Sequence, residues 1–426
     1  MPTQDSRRAP ANQRSVRRHN LGVVLRHVAE HGPRSRAAIA QETGLNKTTV
    51  SSLVGELIAF GLVRETEVEL RGTVGRPALP VELSGRRVVG LGLELGVDFL
   101  AVRSADLTGD VRHGKLVTAD NRGRPVDEVL DDLAGLASDA LAAAAEQDLL
   151  TAGAVVALPG LVDSDARLLV APNLGWTGVS VPELLGERLG RPPFPIQAEN
   201  EANLGALAEL WEGAGREFSD FLYISGELGI GAGIIVGGEL FRGSHGFGGE
   251  LGHTTIEPEG AVCACGNRGC LETRVALGAL LRDAGLDPDA RVGDLAERAE
   301  AGDERVVATL SEAGRWLGVS VASAANLLNP GGVVIGGYLA TLSPWLLSGL
   351  RRELEARVLA AEWDAPRVVT SALGAQAAVR GASARGVGEA DALKSEADAL
   401  DALAERGYFN ERLDQLVVEV LLGLHG

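Results

Sequence analysis

A chain of 426 residues is too long for one compact core and predicts two or three domains of ordinary size. Its 45% hydrophobic and 23% charged residues are those of a globular protein, and it holds no apolar run of roughly 18 residues that could span a membrane. The polar, Arg-rich start (Met1 to Asn20) is no signal peptide, so the expected location is the cytoplasm, with no membrane partner. The net charge of −18 is unevenly spread: residues 1–80 hold 12 basic against 7 acidic residues, and the remainder 28 against 51. A basic module on an acidic body suits DNA held at one end, because the body repels phosphate.

The first helical spacing is Leu21, Val24, Leu25 and Val28, closed by Pro33. Ser35 can cap a second helix running to Glu42, and Gly44 supplies a tight turn. Asn46 can cap a third helix, Lys47 to Phe60, with Val50, Leu53, Val54 and Leu57 facing inward. Helix, short turn, helix is the helix-turn-helix order. The third helix leaves Lys47, Thr48, Thr49, Ser51 and Ser52 at or near its free N-terminal end, where a major groove would meet them. Beyond Gly61, Leu62–Leu70 and Ala78–Leu83 can pair as a hairpin with a basic tip, Arg71 to Pro77. Arg76 on that tip is the candidate for a phosphate or minor-groove contact. A plain three-helix packing domain with a solvated loop is the alternative; order, turn and basic tip together favour DNA binding.

From Arg86 the pattern becomes that of an α/β domain in two halves. Strands are expected at Val88–Glu94, Phe99–Arg103, Gly109–Leu116 and Ala152–Leu158, with a helix over Val126–Ala144. Pro195–Ala198 then leads into a helix over Ala202–Trp211. The second series comprises strands Phe221–Ser225, Gly231–Val236, Glu239–Phe241 and Gly332–Ile335, and helices Leu271–Ala284, Glu304–Leu328 and Pro344–Ala360. Gly-rich turns between strand and helix predict a cleft, the usual place for a small ligand. Within the second series, His253 followed by Cys263, Cys265 and Cys270 offers one imidazole and three thiolates. That is a full tetrahedral set for structural zinc, with no position left for a catalytic water. Soft thiolates exclude magnesium and calcium, and three clustered cysteines in a reducing compartment argue against a disulfide framework.

Several motifs carry a specific resemblance: Gly75-Arg-Pro77, Ala171 to Trp176, Glu199-Asn-Glu-Ala-Asn203, Gly229 to Gly233, Gly249-Glu-Leu-Gly-His253 and Cys263 to Glu272. On these the chain resembles the ROK family (repressors, open reading frames and kinases), in its winged-helix regulator branch, from about Arg14 to about Arg380. The resemblance implies a winged helix-turn-helix over 1–84 and a two-lobed actin-like, hexokinase-like ATPase fold over 85–385. Residues 386–426 form an extension that is either an amphipathic helix used in subunit contacts or a tail. It also implies that zinc positions sugar-contacting residues, and that Asn173, Asn200, Glu201, Glu250, His253 and Glu272 match the family's sugar-contacting positions.

Phosphoryl transfer needs a phosphate cradle and a placed base. The sequence reads Glu94-Leu-Gly-Val-Asp98 at the first phosphate loop, without a hydroxyl residue and with bulky Val97. Glu201 stands where family kinases carry a catalytic Asp, and Glu227 lies beside the expected phosphate path. The expectation is therefore a sugar-responsive regulator without kinase activity and without catalytic residues. It would bind an inverted-repeat operator as a homodimer or homotetramer, with a sugar as effector. The alternatives are an ATP-dependent sugar kinase with an accessory DNA-binding domain, and a regulator driven by a protein partner with a vestigial cleft.

Overall fold

The computed structural model describes residues 13–66 and 79–388. The chain opens with α1 (Gln13–His31), a two-residue strand β1 (Arg34–Ser35), α2 (Arg36–Thr43) and α3 (Lys47–Ala59), followed by β2 (Val63–Glu65) and β3 (Pro80–Leu83). Ser35 caps α2 by accepting from the Ala38 N–H, Gly44 takes the left-handed turn (φ 73°), and Asn46 caps α3 by accepting from the Thr49 N–H. The apolar faces of α1 and α3 meet in one core, with Leu21, Leu25, Leu53 and Leu57 at most 2% exposed. β3 lies between β1 and β2, with Val63 opposite Leu83. This is the predicted winged-helix order, with α1 beginning eight residues before the apolar spacing does. That polar first stretch is held by Arg17, which pairs with Glu56 of α3 at 2.6 Å. The wing tip, Arg76 included, lies outside the described residues.

Two five-stranded sheets follow, built to one plan. β4 (Val88–Leu95), β5 (Phe99–Asp106) and β6 (Val111–Thr118) form an antiparallel meander, and α4 (Val126–Glu146) crosses over to β7 (Leu150–Leu158), parallel to β4. A small sheet of β8 (Leu161–Val162), β9 (Leu168–Ala171) and β10 (Trp176–Val179), then α5 (Val181–Arg188), leads to β11 (Ile196–Asn200), parallel to β7. The order is β11-β7-β4-β5-β6, and α6 (Glu201–Trp211) leaves from its edge. All eight residues of β4 are buried, which is why it reads as a near-continuous apolar run.

The second sheet repeats this order as β16 (Arg367–Thr370), β15 (Gly332–Gly336), β12 (Phe221–Gly226), β13 (Ile230–Val236) and β14 (Glu239–Leu240). Between β14 and β15 come α7 (Glu272–Val275), α8 (Leu277–Ala284), α9 (Val292–Glu300) and α10 (Glu304–Leu328). α11 (Gly337–Arg357) follows β15, and α12 (Ala377–Gly388) follows β16. α6 and α12 thus hold equivalent places in the two halves, and they cross: α6 packs on β12 and β13, while α12 packs on β4 and β7. The halves are interlocked through this helix pair, whose shared core includes Leu204, Tyr223, Val155 and Ala382.

Two expectations need correction. The helix expected over Leu271–Ala284 is two helices, because Ala276 is extended (ψ 149°). The helix expected from Pro344 begins at Gly337 and ends at Arg357, with Pro344 inside it. Its lost N–H bond is outweighed by a buried stripe of Leu339, Leu342, Leu346 and Leu350 packed against α10.

Candidate ligand cleft, metal cluster and DNA-facing helix

The start of α3 is open to solvent. Lys47, Thr48, Ser51 and Ser52 are exposed and Thr49 is half-buried, since its backbone N–H turns back to the Asn46 cap. The Ser52 hydroxyl already accepts from Arg17 Nη2 at 3.0 Å, and Arg36 donates to the Ser51 carbonyl at 3.1 Å. Arg17 and Arg36 therefore flank this helix end as two further cations. The sequence signal for Arg17 was the Arg-rich first segment, whose helical nature the apolar spacing did not reach.

The cleft lies between the two sheets. A cavity of about 500 Å³ takes in Asn173 and Glu201 and extends past Asp98, Glu227 and Tyr338 to Ser371. Glu201 opens α6, with Asn200 as its cap. The Asn200 Oδ1 accepts from the Ala202 and Asn203 N–H groups, and Nδ2 donates to the Gly160 carbonyl at 2.9 Å. One N–H of Asn200 is left for a ligand. Burial, then the neighbouring Glu250, pushes the Glu201 carboxyl up to about 7. Burial, then Glu201 and Asp98, pushes Glu227 up to about 8. Glu94 is fully buried and accepts from the Val379 N–H at 3.0 Å, and burial holds its carboxyl well above the usual range. Glu94 is thus a brace for α12 rather than a free ligand.

Asn200, Glu250, His253 and Glu272 are not among the residues lining this cavity, and the last three gather around the cysteine loop. Gly249 enters it with φ 103° and so close to the Ala232 carbonyl that any side chain would collide. Glu272 Oε2 accepts from the Ile230 N–H at 3.3 Å, and the Glu250 carboxylate stands 4.0 Å from His253 Nε2. The ligand atoms of His253, Cys263, Cys265 and Cys270 all lie within 4.8 Å of one another. Cys265 Sγ is 3.7 Å from Cys270 Sγ, and Cys263 Sγ is 3.8 Å from His253 Nδ1. Two thiolates on one tetrahedral zinc stand roughly 3.8 Å apart for bonds near 2.3 Å, so the donor set fits that ion. With Nδ1 turned to Cys263, Nε2 is the nitrogen on the Glu250 side. One imidazole can therefore serve both metal and ligand, as the sequence required of His253.

A residue inside a quoted motif but without an assigned role is Glu199. Its Oε1 accepts from the Asn200 N–H and the Asn203 amide, both at 3.0 Å. Its Oε2 accepts from Arg242 and from Arg385 of α12, both at 2.8 Å. Burial would raise this carboxyl, but Arg385 and Arg242 outweigh it and hold it at about 2. Neither arginine carries an apolar period or a motif that would have joined it to Glu199 in the sequence.

Comparison with known proteins agrees with this architecture. The ROK family profile matches residues 90–385 and a MarR family profile matches residues 23–72. A putative xylose repressor of Caldicellulosiruptor sp. is 32% identical over 388 residues, covering 87% of this chain and 96% of the relative. The transcriptional dual regulator NagC of Escherichia coli is 30% identical, covering 87% and 95%. Among solved structures, a ROK family transcriptional regulator described as a homolog of the E. coli MLC protein superposes with a TM-score of 0.73 at 26% identity, over 96% of this chain and all of that one. A ROK family glucokinase from Streptomyces griseus, solved with glucose and AMPPNP, gives 0.61 at 26% identity, over 69% of this chain and 98% of its own. The chain belongs to the ROK family, as a member that carries a MarR-type winged helix ahead of its two-lobed domain.

Proposed function

We propose that this protein is a DNA-binding repressor of carbohydrate uptake or catabolism genes, whose cleft binds a sugar effector and has lost kinase activity. The observation that carries it is the joining, in one chain, of an exposed α3 start to a sugar-type cleft with three carboxylates on its cavity wall. Asp98, Glu201 and Glu227 line the space a polyphosphate would need, and carboxyl groups offer it no positive charge and repel it wherever they ionise. Val97, in place of a small or hydroxyl residue at the first phosphate loop, is 5% exposed and packs into the core of the first lobe. The putative xylose repressor above, and an Escherichia coli relative that is 30% identical and named N-acetylglucosamine repressor, make these two sugars the first effectors to try.

His253, Cys263, Cys265 and Cys270 would hold a structural zinc, which would tie the loop over 253–270 into one piece and so place Glu250 and Glu272. Arg76 would add a wing contact to those of Lys47, Thr48, Thr49, Ser51 and Ser52. The reading further takes the DNA module as 1–84, the sensor as 85–385 and the extension as 386–426. It takes the assembly as a homodimer or homotetramer in the cytoplasm, acting on an inverted repeat. Among the described residues no helix is long and apolar enough to cross a membrane.

One observation favours the kinase instead: a carboxyl held near 7, as Glu201 is, suits a general base. A thermal-shift screen of zinc-replete protein against monosaccharides and sugar phosphates, with ATP as a separate arm, separates the two. A midpoint raised by one sugar and not by ATP supports the repressor, because only a ligand of the folded state shifts it. A shift with ATP, followed by phosphorylation of that sugar, would establish the kinase. Silence throughout would favour a protein partner.

A further inference from the structure

We propose that Arg385 is the positioning residue through which the ligand cleft sets the placement of the winged helix. The inference rests on the reading that this cleft binds a sugar.

The Glu199 carboxylate sits one residue before Asn200 and two before Glu201, so it is fixed to the floor of the cleft. One of its oxygens is shared by two guanidiniums that belong to different parts of the molecule. Arg242 begins the loop that runs to Gly249 and Glu250, and its own carbonyl closes that loop by accepting from the Gly248 N–H at 2.9 Å. Arg385 belongs to α12. A ligand that draws Glu250 and its loop inward moves Arg242 against the same oxygen that holds Arg385.

What lies beyond Arg385 gives this contact its reach. Val387, two residues on and about 3 Å further along the helix, is part of the winged-helix core with Leu25, Leu53 and Leu57. Leu53 and Leu57 are the inward face of α3, the helix whose start faces solvent. α12 has no slack in which to absorb a displacement. A Cβ on Gly153 of β7 would stand 2.7 Å from the Gly386 carbonyl, and one on Gly92 of β4 would stand 2.5 Å from the Ser383 nitrogen. Arg103 of β5 donates to the Ser383 hydroxyl at 2.9 Å, and Glu94 accepts from the Val379 N–H. A helix packed backbone to backbone moves as a body, so a shift at Arg385 reaches Val387 and the base of α3. The ion pair is mostly buried, with side chains 13% and 7% exposed, so solvent screens it little.

The test uses the full-length, zinc-replete protein and an operator duplex selected from random DNA with the same protein. Operator affinity is measured with and without saturating D-xylose or N-acetyl-D-glucosamine, whichever binds, and sugar affinity is measured by calorimetry. In the wild type the two operator affinities should differ by a factor on the order of 5 to 150. Arg385→Gln should leave sugar affinity and sugar-free operator affinity close to wild type while that factor falls towards one, and Arg385→Lys should restore part of it. Val387→Ala cuts the same route at its far end and carries the test if Arg385→Gln does not fold. A lower melting temperature with the wild-type factor intact in both variants would overturn the inference and leave the sugar-cleft reading standing. A wild type that binds no sugar would remove that reading and this inference with it.

Discussion

Glu227 and Glu201 line one cavity; burial raises both carboxyls, Glu201 adds to the cost of ionising Glu227, and Glu250 adds to that of Glu201. Their folded values of about 8 and about 7 lie above the ordinary carboxylate value of 4.5. A carboxyl whose pKa is raised on folding contributes stability that is fully present below the unfolded value and is lost as pH rises through the folded one. The protein should therefore lose stability as pH rises from about 5 to about 8.5. Glu227→Gln removes one of the two ionisations, and its melting temperature should fall less over that window than the wild type's. Equal slopes for variant and wild type would show that Glu227 is solvated and ionised in the folded state. The identity of these carboxylates was legible in the sequence, as departures from the kinase motifs. The effect of Glu201 on Glu227 was not, because it depends on the ends of β11 and β12 being brought to one cavity.

At the scale of the element, legibility followed amphipathic contrast. α3 announced itself through the Asn46 cap and the inward Val50, Leu53, Val54 and Leu57, and α4 through its buried stripe of Val129, Leu133, Leu136 and Ala140. α12 was invisible for the opposite reason. It is covered by α6 on one side and β4 on the other, so its sequence is mostly small residues (Ala, Gly and Ser), and Val379, Val387 and two arginines among them make no amphipathic stripe to detect. The strands β8 to β10 and β16 span two to four residues each, too short for any period to stand out. The cysteine loop lies at the other extreme: His253, Cys263, Cys265 and Cys270, named from their residue types and spacing, do come together in space as a set that could hold a metal ion. Its consequence is testable: Cys263→Ser, or chelation, should remove the metal and lower sugar affinity by roughly 10-fold to 100-fold, because Glu250 and Glu272 lose their support. Sugar-free operator binding should persist, since among the described residues the core around α3 includes none of that loop. Sugar affinity undiminished in the metal-free protein would mean that the loop is not part of the site.

At the scale of the whole molecule, the winged helix is built onto the body rather than tethered to it. Its core continues into the first sheet through Val88, at the start of β4, and Ala152 of β7, and into α12 through Val387. Such a core leaves the module no freedom to reorient around a flexible linker. In a two-fold assembly each α3 would then project at a fixed separation and phase from its symmetry mate. DNA turns once in roughly 10 to 10.5 base pairs, so five base pairs inserted at the centre of an inverted repeat carry one half-site to the opposite face. The expected outcome is a fall in affinity to that of a single half-site. Tethered modules would bind the lengthened site nearly as well. Electrophoretic titration of the two duplexes at one salt concentration decides between them, and salt must be fixed because phosphate contacts dominate the affinity. If the five-pair insertion is tolerated, the packing of Val88, Ala152 and Val387 against the module must open when DNA binds. The route from Arg385 to α3 would then run only in the DNA-free protein.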